Sequence, residues 1–217
     1  MSPAWGDLRA VVLDIDGTLL DSADGIVAGY VHALESVGVT APDDDTLRSD
    51  LGPPIVTLLP SLGVPAERLD EALTAYRTFY LREGLQRAAE YDGVSQVLTS
   101  LSRAFPLGTA TAKRTDVALA ILESHGLAGF FTVVNGLGDD HPTKAATLTQ
   151  TLGLMGELDP ATTVMVGDRR SDIVAGRAVG TWTIGVLWGY GSRAELEGAG
   201  ADVLLEHPHQ LVDLLLS

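Results

Sequence analysis

The sequence predicts an α/β fold, a doubly wound parallel sheet with an inserted α-helical domain. A short apolar run at 11–13 ends in Asp14 and Asp16, as a buried parallel strand does at the edge where open α/β sheets hold their ligands. Strand and helix patterns alternate from residue 90 onward, which is typical of a parallel sheet. Residues 21–89, by contrast, contain helical patterns and no convincing strand.

Each element is predicted from its own pattern. Inside the insertion, apolar residues at helical spacing predict a helix from Ile26 to Val37, which Gly38 ends. A second helix is predicted to begin at 42–45 and a third at Pro65. Beyond the insertion, helices are predicted at 94–101, 117–122, 145–152, 173–178 and 211–216, and strands at 106–110, 131–134, 163–166, 182–187 and 202–205.

The change of pattern also predicts the domain organisation. We assign residues 1–20 and 90–217 to an α/β core domain and residues 21–89 to a helical cap domain. The cap domain leaves the core directly behind Asp16. We expect such an insertion to overhang the carboxyl ends of the strands, where it would act as a lid or a specificity element.

Composition narrows the classes of function. Hydrophobic residues make up 46% of the 217 residues, which is enough for a substantial core. The net charge of -15 disfavours binding to nucleic acid or to an anionic membrane surface, since both need clustered cations. The absence of cysteine excludes disulfides and thiol catalysis. Without a signal peptide or a run of ~20 apolar residues, a cytoplasmic protein is expected, either a monomer or a homodimer.

Polar side chains stand where the predicted strands end. They are Asp14 and Asp16 after the first strand, Thr111 after the second, Lys144 ahead of the helix that follows the third, and Asp168 and Asp172 after the fourth. Two neighbouring carboxylates repel each other unless a cation or a proton lies between them. A nucleophilic carboxylate, a second carboxylate that exchanges protons, a hydroxyl, an ammonium group and an acidic corner for a metal together suit phosphoryl transfer.

Four segments resemble, in order and spacing, the motifs of the haloacid dehalogenase superfamily, and especially its phosphatases similar to phosphoglycolate phosphatase. Asp-Ile-Asp-Gly-Thr-Leu at 14–19 resembles the first motif, and Gly-Asp-Arg-Arg-Ser-Asp at 167–172 resembles the fourth. Thr111 and Lys144 match the second and third motifs. The combination of the first and fourth motifs is the most specific part of the resemblance. Further similar segments lie at 51–54, 91–94 and 185–192.

The resemblance implies a role for each aspartate of the first and fourth motifs. Asp14 would attack phosphorus and carry an aspartyl-phosphate intermediate. Asp16 would protonate the leaving alcohol and then deprotonate the hydrolytic water. Mg²⁺ would be held by the side chains of Asp14 and Asp168, by the backbone carbonyl of Asp16 and, directly or through water, by Asp172.

The resemblance also implies how the phosphoryl group is bound. Thr111 and Lys144 would contact its oxygens, and Lys144 would offset the negative charge around Asp14. The backbone N–H groups of Gly17 and Ala112 would stabilise the group during transfer. The implied enzyme is a Mg²⁺-dependent phosphatase that acts on a small phosphorylated metabolite, such as 2-phosphoglycolate or a nucleoside monophosphate.

Several alternatives stay open at the level of sequence. Lys113 is a rival for the phosphate-binding lysine, because Ala145 stands where the family often has proline. Lys144 is favoured because it directly precedes a helix at the expected distance ahead of Asp168. Asp168 could also be the N-cap of the following helix, a role that is compatible with metal binding. A sugar phosphomutase would use the same residues as a phosphatase. A haloacid dehalogenase would have no alcohol for Asp16 to protonate. A non-catalytic regulatory protein of this fold would be expected to lose these aspartates.

Overall fold

The computed structural model describes residues 5–217 and divides them into two compact units. One is formed by the described residues up to Leu20 together with Glu90–Ser217, and the other by Asp21–Ala89. The divisions after residues 20 and 89 fall where the sequence places the limits of the core domain and the cap domain.

The bounds of the secondary structure follow the predicted order with a few exceptions. The strands are β1 (Ala10–Leu13), β2 (Leu20–Asp21), β3 (Ala89–Glu90), β4 (Leu107–Thr109), β5 (Thr111–Arg114), β6 (Gly136–Leu137), β7 (Thr163–Gly167), β8 (Trp182–Val186) and β9 (Val203–Leu205). The α-helices are α1 (Ala23–Ser36), α2 (Asp44–Ser49), α3 (Ile55–Ser61), α4 (Leu69–Phe79), α5 (Val94–Ala104), α6 (Thr115–Ser124), α7 (Lys144–Leu154), α8 (Arg170–Val179), α9 (Arg193–Ala199) and α10 (Gln210–Leu215).

The core domain is built on a parallel sheet with the strand order β4-β1-β7-β8-β9. All four residues of β1 are buried, as expected for a central strand that is covered on both faces. Val12 of β1 is in register with Gly108 of β4 on one side and with Met165 of β7 on the other. The carboxyl ends of these three strands are therefore neighbours, although they are far apart in sequence.

Helix α7 is fixed to this sheet by an apolar cluster. Leu148 and Leu152 of the helix pack with Val12, Ala110 and Met165 of the sheet region. Thr143 caps the helix, since its side chain accepts a hydrogen bond from the Ala146 N–H. This packing determines where the first residue of the helix, Lys144, is held.

The strand predicted at 131–134 is not formed as a regular strand. The Thr132 N–H donates to the Leu107 carbonyl at 2.8 Å, and the Val133 N–H approaches the same oxygen at 3.4 Å. Because two successive donors share one acceptor, the ladder pattern is lost and Val133 makes only an isolated bridge to Gly108. Pairing resumes at β6, which runs parallel to β5 in a separate two-stranded sheet. Helices α3 and α9 were also missed by the sequence analysis.

The cap domain has its own apolar core between α1, α3 and α4. The members are Ala33, Leu34, Val37, Leu59, Val64, Ala72 and Leu73. Tyr30, Tyr76 and Tyr80 stack in a row beside it, with ring centroids 5.7 and 5.6 Å apart. A Cβ at Gly29 would come within 2.7 Å of the Tyr76 ring, so this glycine allows the close approach of α1 and α4. Within residues 5–217, no helix is both long and apolar enough to span a membrane.

Candidate active site

Asp14 stands at the end of β1, where the strand gives way to a tight turn. Its N–H donates to the Val166 carbonyl at 2.9 Å, which continues the pairing with β7 by one residue. One carboxylate oxygen accepts a hydrogen bond from the Ile15 N–H at 2.7 Å. The following turn is closed by the N–H groups of Leu19 and Leu20, which donate to the Ile15 carbonyl. The side chain of Asp14 is thus fixed by strand and turn together.

Three buried carboxylates meet at this edge of the sheet. Oxygen atoms of Asp14, Asp168 and Asp172 all lie within 4.8 Å of one another. Asp168 directly follows β7, and Asp172 lies in the first turn of α8. The structure therefore brings together three of the residues that the sequence predicts as metal ligands, across more than 150 residues of chain.

Lys144 lies between two of these carboxylates. Its ammonium group is 2.6 Å from Asp14 Oδ2 and 2.6 Å from Asp172 Oδ1. Burial alone would lower the pKa of Lys144, but the charges of Asp14 and Asp172 outweigh it and the pKa is raised. Lys144 therefore carries a positive charge at neutral pH and offsets part of the negative charge around Asp14, as the sequence predicted.

A single ammonium group does not neutralise three buried acids. Burial raises the pKa of Asp172 to about 7 against the opposing charge of Lys144, and Asp14 adds to the rise. The pKa of Asp168 is raised well above its usual range, first by burial and then by repulsion from Asp172 and Asp14. The three converging carboxylates form an all-oxygen donor set, and this set fits a hard divalent cation such as Mg²⁺.

Asp168 is held in place by donors from two loops that are distant in sequence. The Tyr190 N–H donates to its Oδ2 at 2.7 Å, and the Thr18 hydroxyl lies 3.4 Å from Oδ1. A Cβ at Gly17 or at Gly189 would collide with the Asp168 side chain. Both glycines are therefore required so that the loops can approach this carboxylate.

The capping alternative for Asp168 is wrong. The N-cap position of α8 is occupied by Arg169, and its backbone N–H donates to Asp172 Oδ2 at 2.9 Å. Asp172 thus secures the start of its own helix with one oxygen and bonds to Lys144 with the other. The Asp168 side chain is left to the carboxylate cluster.

The carboxylate of Asp16 is not a member of the cluster. Its Oδ2 instead lies 3.0 Å from the ammonium group of Lys113, and both side chains are largely buried. The predicted contact of Asp16 with a metal rests on its backbone carbonyl and stays a prediction. The two lysines that compete in the sequence therefore have different partners, and Lys144 is the one beside Asp14.

Thr111 and Ala112 lie next to the first motif through the sheet. The Ala110 N–H donates to the Leu13 carbonyl at 3.1 Å, which extends the pairing of β1 and β4 by one residue and leaves Thr111 as the next residue along the chain. Thr111 is fully buried. The predicted roles of the Thr111 hydroxyl and the Ala112 N–H in binding a phosphoryl group stay predictions.

Gly17 differs from its predicted role. Its N–H donates to the Leu20 carbonyl at 2.8 Å within the turn, so this N–H is already used. Gly17 has a φ of 76° and lies against Asp168, which explains the glycine without a contact to phosphate. The expectation that its backbone N–H stabilises the transferring group is therefore not supported.

The sequence analysis missed the contribution of the loop that follows β8. Trp188 Nε1 donates to the Thr18 carbonyl at 3.0 Å, and Tyr190 holds Asp168. A Cβ at Gly191 would collide with the Asp168 carbonyl. The alternation of glycine with Trp188 and Tyr190 was a signal for close backbone approach, although it does not reveal which residue is approached.

The chain belongs to the haloacid dehalogenase-like hydrolases, whose family pattern matches residues 11–186. It is 35% identical to tyrosine-protein kinase PtkA of Mycobacterium tuberculosis over 209 residues, which cover 95% of this chain and 71% of that protein. It is 31% identical to pyrophosphatase PpaX of Bacillus velezensis over 210 residues, covering 95% of this chain and 96% of that one.

Two further similarities cover nearly the whole chain. The phosphoglycolate phosphatase of Aquifex aeolicus is 30% identical over 212 residues, which cover 96% of this chain and 97% of that protein. The crystal structure of a predicted phosphatase from Clostridium acetobutylicum superposes with a TM-score of 0.89 at 30% identity, covering 96% of this chain and 98% of that one. Fold, family and relatives together identify the chain as a phosphatase of this family.

Proposed function

We propose that the chain is a Mg²⁺-dependent phosphomonoesterase that works through an aspartyl phosphate on Asp14. The observation that carries this proposal is the convergence of Asp14, Asp168 and Asp172 around the ammonium group of Lys144. Burying three acids with one lysine costs free energy, so their convergence needs a reason other than stability. A bound cation and a phosphoryl group supply that reason.

The residues that would hold Mg²⁺ are Asp14, Asp168 and Asp172, with the backbone carbonyl of Asp16 as a further oxygen donor. When bound, the ion would supply positive charge beside the phosphoryl oxygens and so reduce their repulsion from Asp14. Tyr190 would keep Asp168 in position through its backbone N–H.

In the first chemical step, an oxygen of Asp14 bonds to phosphorus. The bond from phosphorus to the leaving oxygen breaks, its electron pair stays on that oxygen, and Asp16 donates a proton to it. In the second step, Asp16 takes a proton from water as the water oxygen bonds to phosphorus. The acyl-phosphate P–O bond then breaks, which regenerates the Asp14 carboxylate and releases inorganic phosphate.

Lys144 and Thr111 would act on the phosphoryl group itself. The ammonium group of Lys144 already bonds to the nucleophilic carboxylate, so it can pass to a phosphoryl oxygen with little movement. Thr111 follows Ala110, whose N–H bonds to Leu13 at the end of β1, and it offers a hydroxyl donor. Both groups stabilise charge on the transferring group, and the N–H of Ala112 would add a third donor.

The substrate we propose is a small phosphorylated metabolite. The core domain carries every candidate catalytic residue, whereas the cap domain carries none. Because a fold sets the chemistry while added elements contribute selectivity, we assign a part of the choice among esters to the cap domain. 2-Phosphoglycolate is one candidate, in line with the relative named phosphoglycolate phosphatase, and a nucleoside monophosphate is another.

A second candidate function follows from the 35% identity with tyrosine-protein kinase PtkA. An acceptor tyrosine would then take the place of water. We favour hydrolysis, because the relatives matched over at least 96% of their own length are named pyrophosphatase or phosphoglycolate phosphatase.

The test of the proposed function is release of inorganic phosphate from a panel of esters, with Mg²⁺ or with EDTA. We expect turnover with Mg²⁺, none with EDTA, and none for Asp14→Asn in either condition. Radiolabelled ATP with a tyrosine-containing peptide is assayed in parallel. Radiolabel in the peptide without phosphate release from any ester would reject hydrolysis and support the kinase activity.

A further inference from the structure

The second lysine of the candidate site has no part in the mechanism above. Of the 14 lysines and arginines in the chain, two are lysines, and both lie in the site. Each pairs with one aspartate of the first motif, Lys144 with Asp14 at 2.6 Å and Lys113 with Asp16 at 3.0 Å. The rest of these residues are arginines, so the two ammonium side chains of the chain both lie beside the carboxylates proposed to react.

The position of Lys113 follows from its strand. Lys113 lies two residues beyond Thr111 in β5, within the stretch from Thr111 to Arg114 where the register against β6 shifts. From this position the ammonium group of Lys113 reaches Asp16. Since Asp16 serves the oxygen that leaves, the ammonium group of Lys113 lies on the leaving-group side of the site.

The charge on Lys113 needs a partner throughout the reaction. Only 8% of its side chain is exposed, and 17% of the Asp16 side chain. When Asp16 engages the leaving oxygen, Lys113 loses part of its bond to the carboxylate. Weakening this bond costs free energy at a largely buried ammonium group, and a negative group on the substrate would offset that cost.

We propose that Lys113 selects substrates whose leaving group carries a second anionic group, a carboxylate or a phosphate, close to the scissile bond. This inference rests on the proposed phosphatase function and sharpens its substrate class. 2-Phosphoglycolate and pyrophosphate both carry such a group, and two relatives are named for acting on them. A nucleoside monophosphate, whose leaving nucleoside is neutral, is disfavoured.

The kinetic test compares two esters that differ only in this charge, 2-phosphoglycolate and 2-hydroxyethyl phosphate. The wild type should prefer 2-phosphoglycolate. Lys113→Met should lower kcat/KM for 2-phosphoglycolate by about 10–100-fold and change that for the neutral ester by less than about threefold. Lys113→Arg should retain much of the preference, because it keeps the charge. Arg114→Met, which removes the neighbouring exposed cation, is the matched control and should leave the preference unchanged.

Two kinetic results would overturn the inference. Equal losses on both esters in Lys113→Met would show that Lys113 only positions Asp16. A wild type that prefers the neutral ester would show that the site does not seek a second anion. Thermal unfolding of each variant, with and without Mg²⁺, establishes that the comparison is made on folded protein.

A binding test separates this inference from the proposed function. Isothermal titration with Mg²⁺ compares 3-phosphonopropionate with 3-hydroxypropylphosphonate, neither of which has an ester bond to hydrolyse. The wild type should bind the carboxylate compound more tightly by at least about tenfold, and Lys113→Met should lose this difference. If the wild type hydrolyses no ester but binds the carboxylate compound more tightly, and Lys113→Met loses this preference, the phosphatase function is rejected and the assignment of Lys113 is kept. Equal binding of both compounds by an active wild type would reject the assignment alone.

Discussion

The core domain and the cap domain both pair basic side chains with aspartates, but the pairs have different surroundings. In the cap domain, Arg48 bonds to Asp24 and Asp44 with 40% of its side chain exposed. In the core domain, Lys144 bonds to Asp14 and Asp172 with 8% of its side chain exposed. Exposed pairs contribute up to ~1 kcal/mol, whereas buried pairs repay their loss of hydration only with good geometry.

This difference separates surface chemistry from site chemistry. The pairs of the cap domain lie on its surface, and its interior is apolar around Leu34 and Leu59. The core domain buries Asp14, Asp168 and Asp172 together at the end of its central strands. Charged groups that are buried despite the loss of their hydration are a stronger indicator of function than exposed ion pairs.

The comparison is tested most severely at the nucleophile. Asp14→Asn should lower kcat by at least ~10⁴-fold, because the amide is a poor nucleophile and a weaker metal ligand. Arg82→Gln, which removes an exposed pair with Glu83 in the cap domain, should stay within about twofold of the wild type. Steady-state assays of phosphate release measure both. Substantial turnover by Asp14→Asn would show that Asp14 is not the nucleophile.

Asp16→Asn tests the second carboxylate through the leaving group. We expect a loss of about 10³-fold for alkyl phosphates, whose leaving oxygen needs a proton, and a smaller loss for p-nitrophenyl phosphate. Single-turnover phosphorylation of Asp14 isolates the step in question. Equal losses for good and poor leaving groups would contradict a role for Asp16 as the acid.

Lys144→Met should sharpen the contrast between buried and exposed pairs. Removing this ammonium group should lower kcat/KM by about 10²-fold, because charge on the phosphoryl oxygens is no longer offset. It should also lower the free energy of unfolding of the metal-free protein by about 3 kcal/mol, since two buried carboxylates lose their partner. Urea unfolding in EDTA measures this loss, with Arg82→Gln expected below ~1 kcal/mol. Similar losses of unfolding free energy in Lys144→Met and Arg82→Gln would contradict the difference between buried and exposed ion pairs.

The smallest expected effect is the pH dependence of stabilisation by Mg²⁺. Burial raises the pKa of Asp172 from 3.8 to about 7, so the folded metal-free protein binds more protons there than the unfolded chain does. Its contribution to stability is complete below the unfolded pKa and is lost as the pH rises through the folded pKa. Mg²⁺ replaces these protons, so the rise in Tm on adding Mg²⁺ should be larger at about pH 8 than at about pH 5. A rise that is equal at both pH values, or larger at about pH 5, would contradict a cation site at these acids.

Much of the fold follows from local patterns. The alternation of strands and helices predicts the parallel sheet, and the apolar run before Asp14 predicts its buried central strand. The prediction of a strand at 131–134 fails, because the regularity of this segment depends on its hydrogen bonds to the neighbouring strand β4. Two successive N–H groups share the Leu107 carbonyl, and no sequence period reports such sharing.

The members of the site are likewise predicted better than their contacts. Asp14, Asp168, Asp172 and Lys144 were predicted from motif and position, and the structure brings them together. The use of the Gly17 N–H inside its turn and the hold of Tyr190 on Asp168 were not predicted. In both, the donor is a backbone N–H, and the position of such a donor depends on the path of the chain and not on the type of its side chain.

The sequence by itself determined the fold class, the family and the chemical groups available for phosphoryl transfer. Only the tertiary structure decided which lysine serves which acid. Lys113 and Lys144 are both near a motif in sequence, yet one bonds to Asp16 and the other to Asp14 and Asp172. The physical reason is that strand order and helix packing bring distant segments to one edge of the sheet, and pairing there is set by distances that spacing along the chain does not encode.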